Sequence, residues 1–209
     1  MTGIEWSAAT DPAPMVQFLQ AKSSDRKLRL FAVACCRRAW PWCETPDVSI
    51  ITALEQHAHG LGLIPRVNAF QHDRLLCSVC SPFATSAALR TATVAAAVVA
   101  TGTLGSSPRA DLETWRAADS VESAEQATLL RDIFGNPFRP VAFSPSWRTP
   151  PALALADRMY ESRTFDVMPI LADALQDAGC ENEDILGHCR GTGPHVRGCW
   201  VVDLVLGKE

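Results

Sequence analysis

Between residues 112 and 133 the apolar side chains Leu112, Trp115, Ala118, Val121, Ala124, Leu129 and Ile133 return at steps of mostly three or four. That spacing lines one face of an α-helix, whereas a strand brings every second residue to one face. The same period recurs in segment after segment, and no run alternates apolar with polar residues as a half-buried strand does. A chain patterned in this way buries its apolar stripes by laying helix against helix. The expected fold class is all-α: a compact array of about eight or nine helices in a single domain over residues 1–209. One short extended pairing near 136–145, centred on Val141-Ala142-Phe143, is the only departure expected.

Helix punctuation divides the chain. Asp11 caps a first helix with Pro12 just inside it, and Met15, Val16, Phe18 and Leu19 form its apolar face. Ser23 or Ser24 begins a second, with Leu28, Phe31, Ala32, Cys35 and Trp40 inward, and Pro41 stops it. Asp47 opens a third that ends at Gly60. Residues 61–81 read as a loop or short helix. From about Pro82 to Thr101 an Ala-rich helix follows, whose small side chains admit a close neighbour. Gly102 to Pro108 is the one internal boundary the sequence suggests.

The long amphipathic helix that starts near Pro108 ends at Gly135, and Pro137 and Pro140 keep the next stretch out of helix. Thr149-Pro150 starts a helix reaching Tyr160, Asp166 caps Val167 to Ala178, and Asn182 caps a short helix to Cys189. Gly193-Pro194 is expected to begin a last helix running through Leu206 to Gly207.

The net charge of −4 gives no broad footprint for nucleic acid, so no nucleic-acid partner is expected. The Ala/Val-rich stretch from Ala92 to Gly105 is shorter than the ~20 apolar residues of a membrane span, so no membrane association is expected either. The N-terminal residues lack a basic segment followed by an apolar run, which points to a reducing, cytoplasmic setting. The eight cysteines are then expected as thiols or metal ligands rather than bridges.

Three strings carry a resemblance: Ser24-Asp25-Arg26-Lys27-Leu28-Arg29-Leu30-Phe31 through Cys35-Cys36-Arg37-Arg38-Ala39-Trp40, then Leu129 to Pro140, then His195-Val196-Arg197-Gly198-Cys199-Trp200. They resemble an uncharacterised bacterial paralogous family, a likeness that implies no activity. The stretch Ile170-Leu171-Ala172-Asp173-Ala174-Leu175 also resembles the repeat-companion helical domain of large bacterial proteins, with Ala174 where that pattern has Trp.

Candidate chemistry concentrates near the C-terminus. Cys180, Cys189, His195 and Cys199, with His188 as an alternative ligand, offer the thiolates and imidazoles that Zn²⁺ takes at ~2.0–2.3 Å. His195 and Cys199 stand four apart at the expected start of the last helix, so both are expected to project from one face. The spacing C-x8-C-x5-H-x3-C is not that of a standard zinc finger. Cys77-Ser78-Val79-Cys80 lacks a matching second pair and reads as two unrelated thiols. The basic run Arg26, Lys27, Arg29, Arg37 and Arg38 could meet phosphate or RNA, but reads more simply as internal charge pairing plus solvated faces. The turn Arg190 to Arg197 has glycines able to expose N–H groups to an anion, but capping explains them more simply.

No HExxH or GxSxG is present. A catalytic thiol, with Cys35, Cys36 and His57 or Cys189 and His188 as the pair, would need a base within hydrogen-bond reach. The function expected from the residues is a non-catalytic helical module binding a protein partner. Two alternatives remain open: a small zinc-stabilised helical domain, and an enzyme with a Cys/His-containing helical site.

Overall fold

Thr2 closes a capping box with Glu5: its hydroxyl accepts from the Glu5 N–H at 3.3 Å, and its own N–H donates to the Glu5 carboxylate at 2.7 Å. This local exchange secures a first helix, α1 (Gly3–Ala8), too short for periodicity to reveal. The computed structural model describes residues 1–20, 22–42, 48–61, 84–104 and 112–208. Nine further helices follow among these: α2 (Pro12–Leu19), α3 (Asp25–Ala39), α4 (Val48–Ala58), α5 (Ala84–Leu104), α6 (Leu112–Phe134), α7 (Pro150–Ser162), α8 (Met168–Asp177), α9 (Glu183–Arg190) and α10 (Trp200–Leu206). The described residues contain no strand, and the fold is all-α as the spacing predicts.

Two compact units divide the chain, Met1–Leu130 and Arg131–Glu209. The division falls in the last turns of α6. At the boundary expected over 102–108, α5 continues through Gly102 and Thr103 to Leu104, and residues 105–108 lie outside the described residues.

In the first unit the expected caps hold. Asp11 accepts from the Ala13 N–H at 2.9 Å, and Ser24 accepts from Lys27 at 3.5 Å. The helix α3 packs against both α4 and α5. It is therefore buried on more than one stripe: Leu28, Leu30, Phe31, Ala32, Val33, Ala34, Cys35, Cys36 and Ala39 are all inside. Trp40 lies beyond α3 in a 3₁₀ turn, Trp40–Trp42, and is half-buried. Buried Ala84, Ala87, Ala88, Ala92, Ala95 and Ala96 give α5 the small surface that the sequence predicts for close packing. Three members of the basic run are paired within the unit. Arg37 pairs with buried Glu55 at 2.8 Å, Arg38 grips buried Glu122 through Nε and Nη2 at 2.9 and 2.8 Å, and Arg26 reaches His59 at 3.2 Å. No helix among the described residues is long and apolar enough to cross a membrane. The expected cap Asp47 and the pair Cys77 and Cys80 lie outside the described residues.

In the second unit α7 packs against α8 and α10, and α9 packs against α8 and α10. Ala152, Ala156, Met159, Leu171, Leu175, Ile185, Val202 and Val205 belong to one apolar core. The extended pairing expected near 136–145 does not form. Asn136 instead turns the chain, its carbonyl accepting from Arg139 at 3.0 Å and its side chain from Phe138 at 3.0 Å. Asp166 does not cap α8; Val167 occupies that position without a side-chain bond, and Pro169 sits in the first turn. Asn182 caps α9 as expected, accepting from Ile185 at 3.1 Å.

The largest departure is the last helix. It begins at Trp200, not at Gly193-Pro194. Residues 191–199 form an irregular loop in which Gly198 takes φ +100° and the Cys199 N–H donates to the Val196 carbonyl at 2.9 Å. Gly198 readily adopts that left-handed backbone, which helix cannot contain. His195 and Cys199 are therefore not neighbours on a helical face.

Candidate metal centre

Asp132 stands in the final turn of α6, where the helix dipole opposes a negative side chain. It is buried, so it needs partners, and the loop before α10 supplies them. The Val196 N–H donates to Oδ2 at 2.9 Å. Oδ1 lies 2.8 Å from Nδ1 of His195 and 3.2 Å from Nε2 of His188, which projects from the last turn of α9. The same His188 nitrogen is 3.2 Å from Sγ of Cys199, and Nδ1 of His195 is 4.0 Å from that sulfur. Asp132, His188, His195 and Cys199 each present one potential ligand atom, and all four atoms lie within 4.8 Å of one another.

The electrostatics follow from this geometry. Burial acts to raise the Asp132 carboxyl, but hydrogen bonds from His188 and His195, with their charge, more than offset it and hold the group below its ordinary value. The carboxylate only accepts, so both ring nitrogens facing it carry protons. Burial, with the Asp132 charge behind it, pushes the Cys199 thiol well above its ordinary value. Burial also pushes Cys189 up to about 12, with Cys180 and Asp132 contributing. Nε2 of His195 is buried with no hydrogen-bond partner among the described residues.

Of the ligands the sequence suggested, the structure brings together His195, Cys199 and the alternative His188. Cys180 and Cys189 are not in the group: both are fully buried members of the apolar core. Asp132 takes part instead, and sequence spacing missed it because it lies 63 residues before His195. A usable signal was present: an acidic residue between buried Leu129, Leu130 and Ile133, at the helix end where the dipole disfavours it, requires a compensating partner. The strings Leu129 to Pro140 and His195 to Trp200, separate in the sequence, meet at this point.

The donor set fits a tetrahedral transition-metal ion. Bonds of ~2.0–2.3 Å to oxygen, nitrogen and sulfur place tetrahedral donors about 3.3–3.8 Å apart. The contacts of 2.8, 3.2, 3.2 and 4.0 Å fall on either side of that range, so the donors would shift by up to about 0.5 Å to take an ion. With Oδ2 occupied by the Val196 N–H, Oδ1 is the oxygen facing the other donors. A buried group of two imidazoles, a thiol and a carboxylate can therefore hold a metal.

The geometry does not make a nucleophilic triad. In such a triad the histidine receives the acid on one ring nitrogen and the nucleophile on the other. Here each histidine turns one and the same nitrogen toward both Asp132 and Cys199. The raised thiol of Cys199 also opposes formation of a reactive thiolate. Cys35 is likewise buried and pushed well up, by desolvation and by Glu122.

No family model, curated protein or solved structure matches the chain.

Proposed function

We propose that this chain is a non-catalytic helical protein whose second unit is held by a structural zinc ion at Asp132, His188, His195 and Cys199. The observation that carries the reading is the convergence of four ligand atoms within 4.8 Å, three of them on side chains that are nine-tenths or more buried. Mixed imidazole, thiolate and carboxylate donors suit Zn²⁺ better than Mg²⁺ or Ca²⁺, which prefer oxygen alone. Four protein ligands fill a tetrahedral shell and leave no open position for substrate, which is the pattern of structural rather than catalytic zinc. The ion would tie the end of α6 to α9 and to the loop before α10.

The unpartnered ring nitrogen of His195 tempers the expected affinity. A zinc-bound His195 would carry its proton on Nε2, and that atom has no acceptor. Loss of such an outer hydrogen bond typically weakens metal binding ~10–100-fold. The test is elemental analysis of protein purified without added metal, followed by Co²⁺ substitution. About one equivalent of zinc, exchangeable for Co²⁺ with a thiolate charge-transfer band, supports the reading. Less than ~0.2 equivalents, together with no Co²⁺ band, sinks it.

A further inference from the structure

Trp200 begins α10 immediately after Cys199. Its ring centroid lies 5.2 Å from that of His188, with the planes inclined at 54°. The same indole lies against the backbone of Gly135, the residue that ends α6. A Cβ at Gly135 would stand 3.2 Å from Cγ and Cδ2 of Trp200, closer than side chains ordinarily pack. Gly135 also takes φ +63°, so it meets two demands that only glycine satisfies together. Asp132 lies three residues upstream in the last turn of the same helix.

His188 is the most exposed of the four donors, with 19% of its side chain open against 8% for His195 and 3% for Asp132. Exposure leaves an imidazole free to turn about its second torsion. A half-turn replaces Nε2 with a carbon, and the ring then has no ligand atom facing Asp132 and Cys199. The 3.2 Å contacts of Nε2 with Asp132 and Cys199 favour one orientation, and two rings flank His188 besides: His195, at a centroid distance of 4.9 Å and 75°, and Trp200. His195 is itself a donor and moves with the site. Trp200 is anchored outside it, on Gly135.

We propose that Trp200 is a positioning residue, wedged on the bare backbone of Gly135, which locks His188 with Nε2 aimed at Asp132 and Cys199. The value of that orientation for metal rests on the proposed zinc site, whereas the orientation itself can be measured without metal.

The experiment compares wild type with Trp200→Phe, Trp200→Leu and Gly135→Ala in two measurements. The first is the tautomer of His188 by ¹⁵N NMR on protein stripped of metal. The second is Zn²⁺ affinity by competition with a chromophoric chelator. Wild type is expected to show a single Nε2–H tautomer. Trp200→Leu, which keeps an apolar side chain but removes the flat ring, is expected to give mixed tautomers and a ~10–100-fold loss of Zn²⁺ affinity. Trp200→Phe restores most of both. Gly135→Ala, which displaces the indole without removing it and also strains the left-handed backbone at the end of α6, is expected to give mixed tautomers as well and stands in for the Leu variant should that one not fold. In a His188→Ala background Trp200→Leu costs no further affinity, because its effect passes through His188.

A wild-type tautomer pattern in both Trp200→Leu and Gly135→Ala overturns the positioning role. So does an equal loss of affinity with and without His188. Wild-type protein that takes up no Zn²⁺ defeats the zinc reading alone, and the tautomers still decide the role of Trp200.

Discussion

Nδ1 of His195 stands 2.8 Å from Oδ1 of Asp132, and the N–H of the next residue, Val196, donates to the other oxygen of the same carboxylate at 2.9 Å. One buried acid at a helix end thus fixes both a side chain and the backbone of a loop that has no regular structure of its own. Four measurements test what this arrangement, and the pairing in the first unit, are worth.

Asp132→Ala removes the acceptor of the Val196 N–H and of both histidines. Charge-assisted bonds contribute about 1.5–3 kcal/mol each before compensation, so the metal-free variant is expected to lose about 2–4 kcal/mol. The sign with pH follows from a folded-state pKa held below the ordinary 3.8. The contribution is fully present above that unfolded value and is lost as pH falls through the lower folded one. Urea unfolding from pH 7 to pH 2 should show the gap between wild type and variant closing at the acid end. A gap that is constant, or grows, contradicts the assignment.

The ligand set separates cleanly by substitution. His188→Ala, His195→Ala and Cys199→Ser are each expected to weaken Zn²⁺ binding by at least ~100-fold, leaving a residual affinity that competition with a chelator still reads. Cys180→Ala and Cys189→Ala should keep one equivalent and lose only about 1 kcal/mol of stability through a small cavity. Retention of metal in Cys199→Ser with loss in Cys189→Ala would reverse the roles of the two thiols. Elemental analysis decides it.

In the first unit, Glu122 is 2% exposed and its partner Arg38 is one-third exposed. Removing one member of a fully buried pair costs about 3–5 kcal/mol, and solvent at Arg38 reduces the expectation for Arg38→Ala to about 2–3 kcal/mol. The double variant Arg38→Met with Glu122→Leu should recover most of that loss, because neither charge is then stranded. Chemical denaturation of wild type, Arg38→Ala and the double variant decides it. A double variant no more stable than Arg38→Ala would show that packing, not a stranded carboxylate, sets the cost.

Cys35 links stability to alkaline pH. Desolvation, with the Glu122 charge, holds its folded thiol well above the ordinary value of 9.0. A raised folded pKa contributes stability that is complete below the unfolded pKa and is lost as pH rises through the folded one. Stability should therefore decline above about pH 9, with Cys35 contributing up to about 1.4 kcal/mol per pH unit. Cys35→Ala is expected to flatten the slope of urea midpoints between pH 8 and pH 10.5. An unchanged slope would place the ionisation elsewhere.

The helices and several of their ends were legible in the chain itself. Ser24, Asp11 and Asn182 cap through bonds to residues two or three positions on, and Gly60, Gly135 and Gly207 end helices by adopting left-handed backbone. Those interactions act within a turn or two, where sequence neighbours are also spatial neighbours. Periodicity likewise settled the all-α class, because apolar spacing is a property of consecutive residues. His188, His195 and Cys199 were recognisable as donors by type alone. What sequence could not give was which donors share a centre. Cys189 follows His188 directly, yet the turn of α9 carries it into the apolar core, while Asp132 arrives from the end of a different helix. Only the packing of α9 and the 191–199 loop against the end of α6 decided that, because the convergence of distant side chains is set by tertiary contacts and leaves no local period to read.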